Sequence, residues 1–355
     1  MSFVHRITSE DIRRIDSGDM AGHIARMGEH IREAIGFSNV GLKGTSLPQN
    51  VRSVVVLGMG GSAIGADLVR SYLSNKLPVP IVVNRSYDLP SFVDSNTLVI
   101  ASSYSGNTEE TLSAFEQAIE KKLAIVCITT GGKLAERAKQ LGLPVISQRA
   151  GMQPRAALAF SFVPVLLTLE KLGLTSNENQ NVEKLAAFLD SLAEQYGTAH
   201  LEDTNTAFHL AGDLMHRIPV FYSSQELEAI SLRWRGQLQE NAKHIAFGNV
   251  LPEMNHNEIN GWGHPIDLVQ HFSVALLRSQ ADDHARVAKR FSALKEILGT
   301  KQVPVTELFA EGETRLERIF SLIALADWTS LYMGLFAGTD PTPIPTIDLL
   351  KQKMS

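Results

Sequence analysis

The run Ser102-Ser103-Tyr104-Ser105-Gly106-Asn107-Thr108-Glu109-Glu110-Thr111 crowds three hydroxyls, on Ser103, Ser105 and Thr108, into one turn. An apolar strand-like segment, Thr97–Ala101, precedes it, and a helix-like segment reaching Lys121 follows. Gly106 supplies the backbone freedom that such a turn needs. Amides at a helix start and the positive end of its dipole attract anions, and neutral hydroxyls add donors without burying an unpaired cation. The chemistry this suits is the holding of a phosphate. The plainer reading is a Ser/Thr-rich cap, because Thr108 with Glu110 or Thr111 nearby also suits a helix N-terminus.

A second turn sharpens the first. Val54–Leu57 reads as a buried strand; Gly58-Met59-Gly60-Gly61-Ser62-Ala63-Ile64-Gly65 follows, and then the helical Ala66–Arg70. Its first six residues fit the dinucleotide fingerprint, with Ala63 in the last glycine's place, but that fingerprint wants an acidic residue about 20 positions on. The next strand, Ile81–Val83, ends instead in Asn84-Arg85, which disfavours NAD and leaves Arg85 as a partner for the extra phosphate of NADP. Two anion-ready turns on neighbouring strands describe a single sugar-phosphate cradle better, with Gly60, Gly61 and Ser62 on the sugar side.

These residues carry a resemblance. GMGGSAIG followed by SSYSGNTEETL resembles the sugar isomerase (SIS) domain, and the whole chain is similar to the bifunctional phosphoglucose/phosphomannose isomerase family. The further matches are Pro154-Arg155-Ala156-Ala157, the block Arg233-Trp234-Arg235-Gly236-Gln237-Leu238-Gln239-Glu240-Asn241-Ala242-Lys243, Asn255-His256-Asn257-Glu258-Ile259 and the C-terminal Ile347-Asp348-Leu349-Leu350-Lys351. They span nearly the whole chain in the family's order. The turns identify a superfamily; the second-half motifs are the more specific ones.

The resemblance implies an aldose–ketose isomerase that interconverts glucose 6-phosphate, and mannose 6-phosphate, with fructose 6-phosphate through a cis-enediol. Such a reaction needs a base, a group to open the ring, a cation or dipole for the enediolate and a phosphate anchor. On spacing alone Glu240 reads as a solvated glutamate paired with Lys243 at i+3; the resemblance makes it the base that moves the proton between carbons 1 and 2. His256, between two asparagines, becomes the ring-opening group, reaching the site from the neighbouring subunit of a homodimer. Glu258 competes with Glu240 and reads as a helix-start or interface residue. Arg155 becomes the guanidinium that holds the enediolate, and Lys351, otherwise a tail lysine, a contact to the sugar during ring opening. For the mannose reaction the family uses a C-terminal threonine; Thr342 and Thr346 both compete for that place.

Elements that hold these residues follow from periodicity. An amphipathic helix is expected from about Asp16 to Ile35, with Met20, Ile24, Met27, Ile31 and Ile35 at helical spacing. Short apolar runs then alternate with helical ones: strands at Val54–Leu57, Ile81–Val83, Thr97–Ala101, Ala124–Ile128 and Pro144–Ile146. This predicts a parallel sheet covered on both faces, where ligands sit beyond the carboxyl ends of the strands. After a long apolar helix from Pro154 to about Leu172, the polar stretch Thr175–Asn181 reads as a linker. The second part repeats an α/β pattern, with strands at Pro219–Tyr222, Phe272–Leu277 and Val303–Leu308. The expected architecture is two SIS-type doubly wound α/β lobes with parallel sheets flanked by helices, residues 1–174 carrying the phosphate turns and residues 175–355 the base, histidine and C-terminal lysine.

Composition narrows the alternatives. A net charge of −5 with no basic run argues against a nucleic-acid partner. No uncharged stretch reaches the length of a membrane span, and no apolar segment follows the N-terminus as a signal peptide would. The single cysteine, Cys127, lies in the apolar run Ala124–Ile128 and reads as strand core, so no disulfide framework exists and a reducing cytoplasm is expected. The 11 histidines form no His-x-x-x-His pair, so no metal and no other cofactor is expected. A sugar-phosphate sensor would need no Glu240–His256 pair, and an aminosugar synthase would add a glutaminase nucleophile that Cys127 is not placed to supply.

Overall fold

A computed structural model describes residues 7–199, 201 and 204–354. The chain forms two compact units: Met27–Ala187, and the N-terminal residues up to Arg26 together with Phe188 onward.

The unit Met27–Ala187 is built on five parallel strands, β1 (Ser53–Leu57), β2 (Ile81–Asn84), β3 (Thr97–Ser103), β4 (Ala124–Thr129) and β5 (Val145–Ser147), in the order β2-β1-β3-β4-β5. Every residue of β1 and β3 is buried, as a sheet covered by helices on both faces requires. β1 pairs Leu57 with Ala101 of β3, so the two strands end side by side. Between them the strand order reverses, and the crevice beyond their carboxyl ends is where ligands of doubly wound folds sit. Cys127 is fully buried in β4, and burial pushes its thiol up to about 12.

The other unit carries β6 (Ile218–Ser224), β7 (Phe247–Leu251), β8 (Phe272–Arg278) and β9 (Val305–Phe309), all parallel, in the order β7-β6-β8-β9. This repeats the plan β2-β1-β3-β4. The chain is therefore two parallel-sheet α/β lobes flanked by helices. The helix Arg315–Phe336 is long and apolar enough to cross a membrane, yet 94% of its most apolar window is buried in the protein. Its apolar surface is consumed by packing, and it places Asp327 against Arg233 of the helix Glu228–Asn241.

Several elements differ from the periodicity reading. β7 went unexpected because its sequence, Phe-Gly-Asn-Val-Leu, is an edge strand whose Phe247 is exposed, so no apolar run marks it. The expected helix from Asp16 is two, Met20–Ala25 and Met27–Gly41, parted where Arg26 leaves helical geometry at φ −87° and ψ 18°; a one-residue break leaves the apolar spacing intact. The polar stretch 175–181 is helical from Glu178, because the buried Glu178 carboxylate accepts the Tyr72 hydroxyl (3.1 Å) and its N–H donates to Glu170 (2.9 Å). A division at 174/175 thus differs from the compact units, whose boundary falls within the helix Glu178–Tyr196.

Candidate active site

At the carboxyl end of β3 the chain turns through Tyr104–Thr108 into the helix Glu109–Glu120. Ser103 is buried, and its Oγ shares a 2.9 Å hydrogen bond with Thr108 Oγ1, while Ser105 is exposed. Thr108 holds the N-cap position with extended backbone but makes no side-chain bond to the helix amides. The hydroxyls therefore address the turn rather than cap the helix. Gly106 is required by shape: its φ is +68°, and a Cβ there would stand 1.8 Å from the Gly131 carbonyl oxygen. The turn is braced on the β4 turn, where Thr130 N–H and Oγ1 both donate to Tyr104 O and Lys133 N–H donates to Asn107 Oδ1.

The neighbouring turn after β1 meets it directly. Tyr104 N–H donates to Ser62 Oγ (3.0 Å), joining the two turns. Gly60 adopts φ +49° as the helix Gly60–Tyr72 begins. Gly61 lets Pro154 approach, since a Cβ there would lie 2.5 Å from the Pro154 carbonyl oxygen. That brings Pro154–Ala156, a single 3₁₀ turn rather than the first turn of an α-helix, alongside the glycine turn, with Arg155 buried. Tyr104 also fixes the approach to this turn: its hydroxyl donates to Arg149 O (2.7 Å) and accepts from Met152 N–H (3.1 Å). Ser62, Ser103, Ser105, Thr108, Gly60, Gly61 and Arg155 thus all belong to one unit and one end of its sheet. Arg85 is ion-paired with the buried Asp67, so it is engaged elsewhere than at a cofactor phosphate.

In the second unit Glu240 lies half-buried near the end of the helix Glu228–Asn241, which returns the chain to the amino edge of β7. Lys243 is directed to carbonyls: its Nζ donates to Glu240 O (2.8 Å), Asp340 O (2.9 Å) and Pro341 O (3.2 Å). This ties the segment bearing Thr342 to the end of the Glu240 helix. Thr342 packs on Gly18, where a Cβ would meet its Oγ1 at 2.3 Å, and Thr342 N–H donates to Asp340 (2.9 Å). Thr346 and Lys351 lie instead on the exposed helix Pro345–Met354, and Lys351 Nζ stands 3.9 Å from Asp348.

His256 sits at the other edge. It ends the short helix Glu253–His256 that follows β7, and it is exposed. Glu240 precedes β7 and His256 follows it, so the five-residue strand, roughly 16 Å long at ~3.3 Å per residue, separates their ends of the sheet. Glu258 is anchored: it accepts the Tyr222 hydroxyl and the Asn249 amide (2.5 Å) at the start of the helix Glu258–Gly263. Burial, and then Glu258, push the Tyr222 hydroxyl far above the ordinary phenol range.

The turn after β8, topological counterpart of the hydroxyl turn, has opposite chemistry. Asp282 accepts Arg318 Nε (2.8 Å), Arg318 NH2 (2.9 Å) and the Ser279 hydroxyl (2.6 Å), and Asp283 accepts Arg278 Nε (2.9 Å). Carboxylates of the chain itself take up the arginines at that turn, whereas the turn after β3 carries uncharged hydroxyls. Among the described residues no group of three or more His, Cys, Asp or Glu is placed to hold a metal ion. Sequence reading passed over Tyr104, which braces both turns; its only signal was its place inside the hydroxyl run.

Residues 49–172 match the SIS domain, and residues 203–354 match the bacterial phospho-glucose isomerase C-terminal SIS domain. Fold and site therefore define a two-lobed SIS-domain protein. A bifunctional phosphoglucose/phosphomannose isomerase of Caldicellulosiruptor bescii is 44% identical over 308 residues, covering 86% of this chain and 91% of the relative. One of Aquifex aeolicus is 38% identical over 305 residues, covering 85% and 90%. The chain belongs to the bifunctional phosphoglucose/phosphomannose isomerase family. A hypothetical protein of Thermus thermophilus shares the fold at 17% identity, with a TM-score of 0.74 over 97% of this chain and 93% of that one.

Proposed function

We propose that this protein is an isomerase interconverting glucose 6-phosphate and mannose 6-phosphate with fructose 6-phosphate. The observation that carries the reading is the pair of joined turns at the β1/β3 carboxyl edge, in a chain of this family. The substrate phosphate takes the hydroxyls of Ser103, Ser105 and Thr108, and Ser62 with the Gly60-Gly61 backbone lines the sugar.

His256 opens the ring by donating to the ring oxygen, and imidazole suits this role near neutral pH. Lys351 contacts the sugar in the same step. Glu240 then takes the proton from carbon 2 and returns it to carbon 1. Arg155 stabilises the enediolate that forms in between, as a guanidinium held out of water does effectively. Rotation about the bond between carbons 2 and 3 presents the mannose epimer to the same base, with Thr342 or Thr346 accommodating the rotated group. Thr342 has the better claim, since Lys243 ties its segment to the end of the Glu240 helix.

The opposite-edge placement of Glu240 and His256 supports a homodimer in which each site takes its histidine from the partner subunit. We place this metal-independent enzyme in the cytoplasm. The test is a coupled assay from fructose 6-phosphate that follows glucose and mannose phosphates separately, with and without exhaustive chelation. Formation of both products, undiminished by chelator, is expected. Absence of both products would remove the reading, and activity restored only by a divalent ion would remove the metal-free route.

A further inference from the structure

We propose that the buried pair Arg233–Asp327, together with Gln237, is a positioning device for Glu240. It sets the rotation of the helix Glu228–Asn241 about its axis and so aims the Glu240 carboxylate. The proposal rests on the reading of Glu240 as the base.

Arg233 and Asp327 are almost wholly buried, their side chains 4% and 2% exposed. Arg233 NH2 donates to both carboxylate oxygens, at 3.0 and 2.8 Å, and Nε to Oδ1 at 3.2 Å. Gln237 Nε2 adds a bond to Oδ1 at 2.7 Å. One turn further, Asn241 Nδ2 donates to Ser330 Oγ (3.0 Å), which itself donates to Asp327 O (2.8 Å). The helices close together beyond this point, because Gly334 presents no side chain to the Asn241 carbonyl.

Helical spacing links the ladder to the site. At about 100° per residue, Arg233 and Glu240 are seven positions and two turns apart, hence within about 20° of one another on the helix surface. A rotation that unseats Arg233 turns Glu240 through the same angle. Stability alone does not call for such a pair, since buried ion pairs are often replaced by apolar residues without loss. Apolar side chains repack when a helix rotates, and cores lose uniqueness before stability. A bidentate guanidinium–carboxylate fork has one geometry. The buried charges thus serve direction.

The test replaces the network by an apolar one, Arg233→Met, Gln237→Leu and Asp327→Leu together, and measures thermal unfolding, kcat and KM for fructose 6-phosphate. Expected are an unfolding midpoint within about 5 °C of wild type, KM within about threefold, and kcat reduced about 30-fold or more. A folded triple variant with wild-type kcat overturns the proposal, as does a loss shared between kcat, KM and stability. If the triple variant does not fold, Arg233→Lys keeps the charge and removes the fork, and wild-type kcat there overturns it equally. Glu240→Gln is assayed in parallel; full activity would sink the base reading by itself. A spin label at Glu240→Cys, in a Cys127→Ala background, then judges positioning separately: one immobile spectrum with the network intact and several components without it are expected, and identical spectra overturn the proposal.

Discussion

Ser103 Oγ and Thr108 Oγ1 share a 2.9 Å hydrogen bond across the turn after β3, although Thr108 stands where a capping threonine would stand. The bond sets the two oxygens side by side; one of the two protons is engaged in it, so an anion arriving there meets one ready donor and recruits the second by breaking the bond. Ser105→Ala and Thr108→Val are therefore expected to weaken fructose 6-phosphate and inorganic phosphate alike, by about 1.5–3 kcal/mol each. Inhibition by inorganic phosphate measures this. Undiminished competition in both variants would move the anion to the Gly58–Gly65 turn.

Glu240→Gln preserves shape but cannot accept a proton. Isomerisation is expected to fall about 100-fold or more, with substrate binding by calorimetry nearly unchanged. Activity within tenfold of wild type would transfer the role to another group, with Glu258 the first to examine.

Glu240 and His256 flank opposite ends of β7 in one chain. Mixing inactive Glu240→Gln and His256→Ala protomers should accordingly restore part of the activity, since one of the two hybrid sites holds both native groups. A verified mixed dimer that stays inactive would count against shared sites.

Gly106 has no room for a methyl group, being 1.8 Å from the Gly131 oxygen at the Cβ position and in the left-handed region. Gly106→Ala is expected to lower the unfolding free energy by about 3 kcal/mol, the upper range for one substitution. Urea titration checks the figure, and a loss below about 1 kcal/mol would show that the two turns separate easily.

The Cys127 thiol, pushed up to about 12 by burial, ionises near pH 9 once the chain unfolds. Above pH 9 the unfolded state binds fewer protons than the native one, so this group's contribution, fully present below pH 9, is lost as pH rises toward 12. Wild type should lose up to about 1.4 kcal/mol per pH unit relative to Cys127→Ala over that window. Parallel unfolding curves at about pH 8 and about pH 10.5 test it; equal losses in both proteins would mean that the native thiol reaches solvent.

Turns written in contiguous residues were legible from the sequence alone. The hydroxyl turn, the glycine turn and the strands that end in them are local, because a strand, a tight turn and a helix start each depend on a few neighbours. Cys127 read as strand core for the same reason, and the strands around it were plain apolar runs. Edge strand β7 was not, since Gly248 and Asn249 interrupt Phe-Gly-Asn-Val-Leu and leave no apolar run to mark it.

The tertiary structure alone decided what depends on distant pairing. That Glu178 is buried as an acceptor for Tyr72 turned a polar linker into helix. That Lys243 reaches Asp340 and Pro341 ties the segment next to Thr342 to the end of the Glu240 helix, a contact no spacing could show. That Arg233 meets Asp327, 94 residues away, fixed the face of the Glu240 helix. Hydrogen bonds between remote side chains leave no periodic trace, because each end satisfies its local propensity equally well with or without its partner; only the folded chain brings the two together.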